Sequence, residues 1–125
     1  MIRNLLLVGM GGFLGSVGRY LVGGWTHRLL GVGFPFGTLA VNILGCLAMG
    51  FLAGLAETRQ VLTPEVRLFL LLGVLGGFTT FSSFGYETFA FARDGEYFIA
   101  GLNVLLQIAL GLASVWLGYS ASRLV

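Results

Sequence analysis

Long apolar runs, each closed by charged or turn-forming residues, set the pattern of this chain. Asn4 to Gly18 is an uncharged run of 15 residues, and 28 uncharged residues separate Arg28 from Glu57. A further 19 lie between Arg67 and Glu87, and 26 between Glu96 and Arg123. A helix that crosses a bilayer needs about 20 mostly apolar residues. Three of the runs meet that length and the first nearly does. The pattern predicts helices over about 2–25, 37–55, 65–91 and 96–117. Gly31, Gly33 and Pro35 punctuate the first connection. Thr63 as N-cap with Pro64 at the first helical position opens the third helix, and Arg93-Asp94-Gly95 makes the last turn. Such short connections make sequential helices antiparallel neighbours within a single four-helix membrane domain spanning 1–125.

Composition narrows the class. Apolar residues are 57% of the chain and charged residues only 10%, against roughly 25% charged in a soluble domain. That excludes a soluble enzyme with a polar surface, a nucleic-acid binder and a disulfide-stapled secreted domain, and leaves an integral membrane protein. The apolar N-terminus reads as the first span, since no cleavage site and soluble mature domain follow it. Cys46 stands alone in an apolar stretch and reads as a small core residue. With four spans, Arg3, Arg59, Arg67 and Arg123 fall on one side of the membrane and Arg19, Arg28 and Arg93 on the other. Orientation follows basic-residue bias, and this bias is too slight to choose. Either the charges conceal a preference or both orientations are inserted, which would give an antiparallel dimer.

Several residues are out of place in hydrocarbon, where polar groups are costly and tend to mark pathways. Thr38 and Asn42 share a face of the second helix. Asn103, Gln107, Gly111, Ser114 and Gly118 form a polar-and-small stripe on the fourth. Such stripes either bond to a neighbouring helix or line a wet path. In the third span, Gly76-Gly77 followed by Thr79-Thr80 disfavours a continuous helix. Backbone groups freed there need partners, and unwound carbonyls at mid-membrane can hold a cation such as Na⁺. Phe81 and Phe84 lie three apart, offering ring edges of positive character, with Glu87 beyond them on the same side. Arg19 is placed either to draw anions into a vestibule or to snorkel to the interface. The 21 glycines, including Gly11, Gly15 and Gly18 on one face and Gly50 and Gly54 on another, suit close helix packing.

Three motifs together resemble the Fluc (CrcB) fluoride channels: Gly11-Gly-x-x-Gly15-x-x-x-Arg19-Tyr20; Pro35-x-Gly37-Thr38-x-x-Val41-Asn42-x-x-Gly45; and Gly76-Gly-Phe-Thr-Thr-Phe-Ser-Ser-Phe84-x-x-Glu87. The resemblance covers all four predicted helices, and the third motif is the most specific. It implies an all-α integral membrane protein of the cell's inner (plasma) membrane, its third helix broken mid-membrane, assembled as an antiparallel dual-topology homodimer in the lipid bilayer. It further implies a fluoride-selective channel with two pores, letting cytoplasmic fluoride leave passively, with no enzymatic activity and no nucleic-acid partner. On the same ground Phe81 and Phe84 are pore aromatics and Asn42 is the polar residue presented to fluoride. Thr38, Ser83 and Glu87 belong to a polar track, and Arg19 sits near the vestibule. The carbonyls of Gly76 and Thr79 from both subunits hold a central structural Na⁺. Asn103 and Gln107 stand where some members carry Tyr and Ser, and Gly111 where some carry another Ser, so the fourth-helix part of the pore departs from the family pattern.

Two other readings compete. A proton-coupled exporter similar to the small multidrug resistance proteins needs a membrane-embedded carboxylate, and the only one in a span is Glu87, near an end. A membrane subunit without transport of its own would explain the glycines but neither the polar stripes nor the interrupted third span. No nucleophile–base pair or His/Cys metal cluster is visible, and His27 is single and interfacial.

Overall fold

The structure, a computed structural model, describes residues 1–59 and 61–125. Among the described residues it is helical throughout, with no strand. Helix α1 covers Ile2–Leu30 and α2 Phe36–Thr58. Helix α3 opens as Pro64–Arg67, winds as a π-helix over Leu68–Leu75 and ends as Gly76–Phe78. Helix α4 is Phe81–Arg93 and α5 is Tyr97–Ser122. With α3 and α4 taken as one stretch, four helical segments are long and apolar enough to cross a membrane.

The helices outrun the expected spans at several ends. α1 continues to Leu30 rather than stopping near Trp25, and α5 continues to Ser122 rather than Leu117. Polar and charged residues such as His27 and Arg28 end an apolar run, but they do not end a helix, because their heads reach the interface while the backbone keeps its bonds. What stops α1 is Gly31, whose φ of 84° lies in the left-handed region, while its N–H closes on the His27 carbonyl at 3.0 Å. The turn between α4 and α5 uses Gly95 at φ 82° in the same way. Beside it the Arg93 side chain donates to Asp94 at 2.9 Å, and that hydrogen bond holds the exposed Asp94 carboxyl below the usual carboxylate range. Thr63 caps α3 by accepting from the Val66 N–H at 3.3 Å, with Pro64 as its first residue.

Sequential membrane-spanning stretches do run antiparallel, but the tightest pairs are the non-sequential, parallel ones. α1 lies on α3, where a Cβ at Gly11 would sit 2.5 Å from the Phe69 carbonyl oxygen, and one at Gly15 would overlap that of Val74. α2 lies on α5 in a steady register. Asn42 bonds Gln107, Cys46 faces Gly111, and Gly50 meets Val115. One turn further along, Gly118 meets the Leu47 carbonyl, and Gly54 packs on Ser122 and Tyr119. Apolar surface gains nothing from leaving lipid for a neighbouring helix, so contact must come from close backbone approach. Small residues at these crossings allow it, and the Gly111, Ser114 and Gly118 part of the α5 stripe is therefore packing surface, all three being buried. At one end of the bundle Arg3 pairs with Glu65 at 2.6 Å and Tyr119 donates to Glu57 at 3.1 Å. The starts of α1 and α3 thus share that end with the finishes of α2 and α5.

Candidate functional site

The site is built around two residues. Thr79 and Thr80 are extended, with φ/ψ of −77°/157° and −148°/114°, between the end of α3 and the start of α4. The glycines of the motif, Gly76 and Gly77, remain helical. β-Branched side chains favour extended backbone, and Thr80 gains a further reason to leave the helix because its hydroxyl caps α4. Its Oγ1 accepts from the Ser83 N–H at 3.2 Å and donates to Ser83 Oγ at 3.0 Å.

Extended backbone in a membrane protein must find partners away from its own helix. Asn42 of α2 supplies them. The Thr80 N–H donates to Asn42 Oδ1 at 2.9 Å, and Asn42 Nδ2 donates to the Thr80 carbonyl at 3.0 Å. The side-chain amide thus pairs with the N–H and C=O of one residue, as a neighbouring strand would. Asn42 Nδ2 also donates to Gln107 Oε1 at 3.0 Å, bringing α5 into the same cluster. Because Thr80 turns its N–H to Asn42, the Gly76 carbonyl loses the donor that a continuing helix would supply four residues on.

Two cavities meet here, and Thr80 walls both. One, of about 340 Å³, runs between α1, α2 and α4 and is lined by Arg19, His27, Thr38, Ser83 and Glu87 among others. The other, of about 250 Å³, is lined by Asn42, Cys46, Phe81, Phe84 and Gln107, with Thr79 and Thr80. In the first, Thr38 donates to Glu87 Oε1 at 2.6 Å, joining α2 to α4. In the second, the Phe81 and Phe84 rings meet edge-on, their centroids 5.4 Å apart and planes at 69°. Phe81 is 82% exposed on the outer face of the chain.

Nearly all the residues singled out from sequence converge on this region. Arg19, Thr38, Ser83 and Glu87 share the first cavity, while Asn42, Phe81, Phe84, Gln107 and Thr79 share the second. Gly76 lies in the last turn of α3 just before it. Asn103 lies apart from both linings: fully buried, it donates to Thr88 Oγ1 at 2.9 Å and fastens α5 to α4. Among the described residues, three buried side-chain atoms have no hydrogen-bond partner: Glu87 Oε2, Asn103 Oδ1 and Gln107 Nε2. Leaving such a group unsatisfied costs roughly 1–3 kcal/mol. Sequence reasoning missed Thr80 as a site residue, although it bonds Asn42 and Ser83 and lines both cavities. Its spacing from Ser83, a hydroxyl three residues ahead of a free N–H, was the available signal for a helix start.

A bundle of spanning helices whose polar side chains are bonded to one another across the interior is a multi-pass membrane protein, and in bacteria such a protein resides in the plasma membrane. Residues 6–119 match the family of CrcB-like proteins, Camphor Resistance (CrcB), and the chain belongs to that family. It is 46% identical over 122 residues to a protein of Geobacter sulfurreducens named Fluoride-specific ion channel FluC, covering 98% of each chain. Proteins of the same name from Chlorobaculum tepidum and Geotalea daltonii are 48% and 40% identical over 124 residues, with 99% of this chain covered in each case.

Proposed function

We propose that this protein is a fluoride-selective channel that lets cytoplasmic fluoride leave passively, working as a transporter and not as an enzyme. The observation that carries the reading is the pair of cavities that share Thr80 as a wall, one polar with Arg19 and Glu87 in its lining, the other walled by two aromatic rings and two amides. The name carried by relatives over the whole chain supports the choice of ion. Arg19 draws anions into the first cavity, where Thr38, Ser83 and Glu87 form the polar track. Phe81 and Phe84 then present positive ring edges beside Asn42 and Gln107, which attract an anion without the deep trap of a fixed positive charge. Asn103 supports the fourth-helix wall through Thr88.

The pathway is half-built in one chain, since Phe81 lies open on its outer face. A second copy inserted in the opposite orientation completes it, giving an antiparallel, dual-topology homodimer with two pores, in keeping with the even distribution of arginines. The third membrane-spanning stretch is then broken near mid-membrane at Thr79-Thr80. The released carbonyl of Gly76 and the extended Thr79 offer hard oxygen donors, which suit a sodium ion. In the assembled dimer Gly76 and Thr79 of both copies would hold such an ion as a structural element.

The deciding experiment is ion efflux from liposomes containing the purified protein. Rapid release of fluoride, with chloride retained, is expected. Release that requires an imposed proton gradient would instead favour a proton-coupled exporter using Glu87, and release of neither ion from folded protein would defeat the channel reading. Within the channel reading, Phe81→Ile and Phe84→Ile are each expected to lower fluoride flux by about tenfold or more while leaving the protein folded, because they remove the ring edges and keep apolar bulk. Unchanged flux in both variants would remove the aromatics from the pore.

A further inference from the structure

Ion passage gives no work to the outer face of α1. We infer that the last turns of α1 form a binding site for an anionic phospholipid, whose headgroup sits among Tyr20, Trp25 and Arg28 while an acyl chain lies along α1 beneath them. The inference needs only the membrane residence of the chain and stands whether or not the protein conducts fluoride.

The site is a notch of about 200 Å³ lined by Tyr20, Leu21, Gly24, Trp25 and Arg28. Tyr20, Gly24 and Arg28 are four apart and stack on one face of the helix. Glycine opens the notch: a Cβ at Gly24 would meet nothing within 4 Å, so no other helix claims the space. This face points away from the bundle, because α1 packs on α3 through Gly11 and Gly15, about half a turn round its axis. Tyr20 is accordingly 80% exposed and Trp25 61%. The notch offers donors. An indole N–H and a guanidinium can only donate, and a phenol can donate. Among the described residues the ion pairs take Arg3 and Arg93, which leaves Arg28 without an acidic partner, and no carboxylate lines the notch. His27, the neighbour of Arg28, lines the first cavity instead, and Thr26 is spent on the Val22 carbonyl at 2.8 Å.

Such a donor set calls for a ligand that is rich in acceptors and carries negative charge, and a guanidinium matches phosphate oxygens in particular. Position makes the phosphate a lipid's. Tyrosine and tryptophan rings settle at the level of the headgroups. The notch is smaller than the roughly 300–1,000 Å³ of an ordinary ligand pocket, so it takes a headgroup and leaves the rest of the ligand outside. The rest has a place to go. Val17, Phe13 and Met10 continue the line of Tyr20 into the membrane at spacings of three, four and three, and are 42%, 69% and 54% exposed. From Gly24 back to Leu14 the helix descends about 15 Å, half the hydrocarbon core. There a second groove begins, of about 530 Å³, lined only by apolar residues and Gly9 between Leu5 and Leu14. An acyl chain hung from the notch therefore ends over an apolar groove, which a free phosphate would not use. A net-anionic lipid is favoured over a zwitterionic one, whose phosphate already has its own cation beside it.

Trp25 can report on its own site. The chain has two tryptophans, Trp25 and Trp116, so full-length Trp116→Phe protein in phosphatidylcholine vesicles keeps one emitter. The vesicle lipid is replaced stepwise by phosphatidylglycerol or by phosphatidylcholine, each brominated near the top of its acyl chains so that it quenches an adjacent indole. Brominated phosphatidylglycerol is expected to quench Trp25 at about fivefold lower mole fraction than brominated phosphatidylcholine. Arg28→Gln is expected to abolish that preference. Gly24→Leu should weaken it, by filling the notch at a position whose Cβ meets no other part of the chain. Equal quenching by the two lipids would make Tyr20 and Trp25 ordinary interfacial anchors and overturn the inference, as would a preference that survives Arg28→Gln. Quenching by neither, in protein that keeps its helical circular dichroism, would mean that a second copy or another protein covers this face, and would overturn it equally.

Discussion

Replacing Asn42 by Leu is expected to cost this protein most of its stability and, with it, fluoride release. Leucine repeats the branched outline of asparagine while removing its donors and acceptor, so the main loss is of hydrogen bonds. Three groups lose their partners at once: the Thr80 N–H, the Thr80 carbonyl and Gln107 Oε1. Thr80 is 7% exposed and Gln107 9%, so water entering from the cavities they line would replace the amide only in part. Each buried group left unpaired costs roughly 1–3 kcal/mol, against a total stability of about 5–15 kcal/mol for a typical domain. The Thr80 N–H has one alternative, which is to return to the Gly76 carbonyl and close α3 and α4 into a continuous helix. A folded Asn42→Leu protein is therefore expected to have lost the extended pair Thr79-Thr80 and, with it, the wall shared by the two cavities. Thermal unfolding in detergent and fluoride efflux should fall together. An Asn42→Leu protein with a wild-type melting temperature and flux would show that the amide pairing does not hold the break open.

The break shows how far the sequence could be read. The four spans were legible because charge is absent for long distances, and burial in hydrocarbon forbids charge in a way that a soluble core does not. Which residues end a helix was less legible. Gly76-Gly77 weakens a helix intrinsically, yet both stay helical, and the chain leaves the helix at Thr79 and Thr80. The difference is tertiary: Asn42, 38 positions earlier, offers a substitute for the helical bonds of Thr80. Neither residue announces the other in one dimension. The π-helical winding of Leu68–Leu75 is a second case. Its eight residues are apolar apart from Gly73, which is buried against Gly11, and nothing in such a run distinguishes a wider turn from an ordinary one. The α5 stripe was visible as a stripe, but its division was not. Gln107 joins the amide cluster, Asn103 fastens α4, and Gly111, Ser114 and Gly118 pack on α2. Spacing alone gives one face to all five, and only the register between α2 and α5 separates them.

That register makes Gly118→Leu the second large effect. A Cβ at Gly118 would overlap the Leu47 carbonyl oxygen and lie 2.8 Å from the Phe51 nitrogen. Both are backbone atoms of α2, so no side chain can swing aside to make room. Opposite it, Gly50 is closed off in the same way by the Val115 carbonyl of α5, so the crossing is tight from both sides. Inserting bulk into a packed interior costs typically about 1–3 kcal/mol and more where backbone must move. Here the move is a separation of α2 from α5. The consequence reaches the site, because Asn42 and Gln107 are joined across the same two helices, three turns away, by a bond of 3.0 Å that has little length to spare. Gly118→Leu is expected to lower the melting temperature sharply, and any folded fraction should show reduced fluoride release although the substitution lies far from both cavities. Gly118→Ala should show a smaller loss of the same kind, since one methyl demands a smaller separation. If Gly118→Ala lowered stability but left flux untouched, the spacing of α2 and α5 would be set locally along the bundle, and the amide cluster would hold its geometry through Thr80 alone.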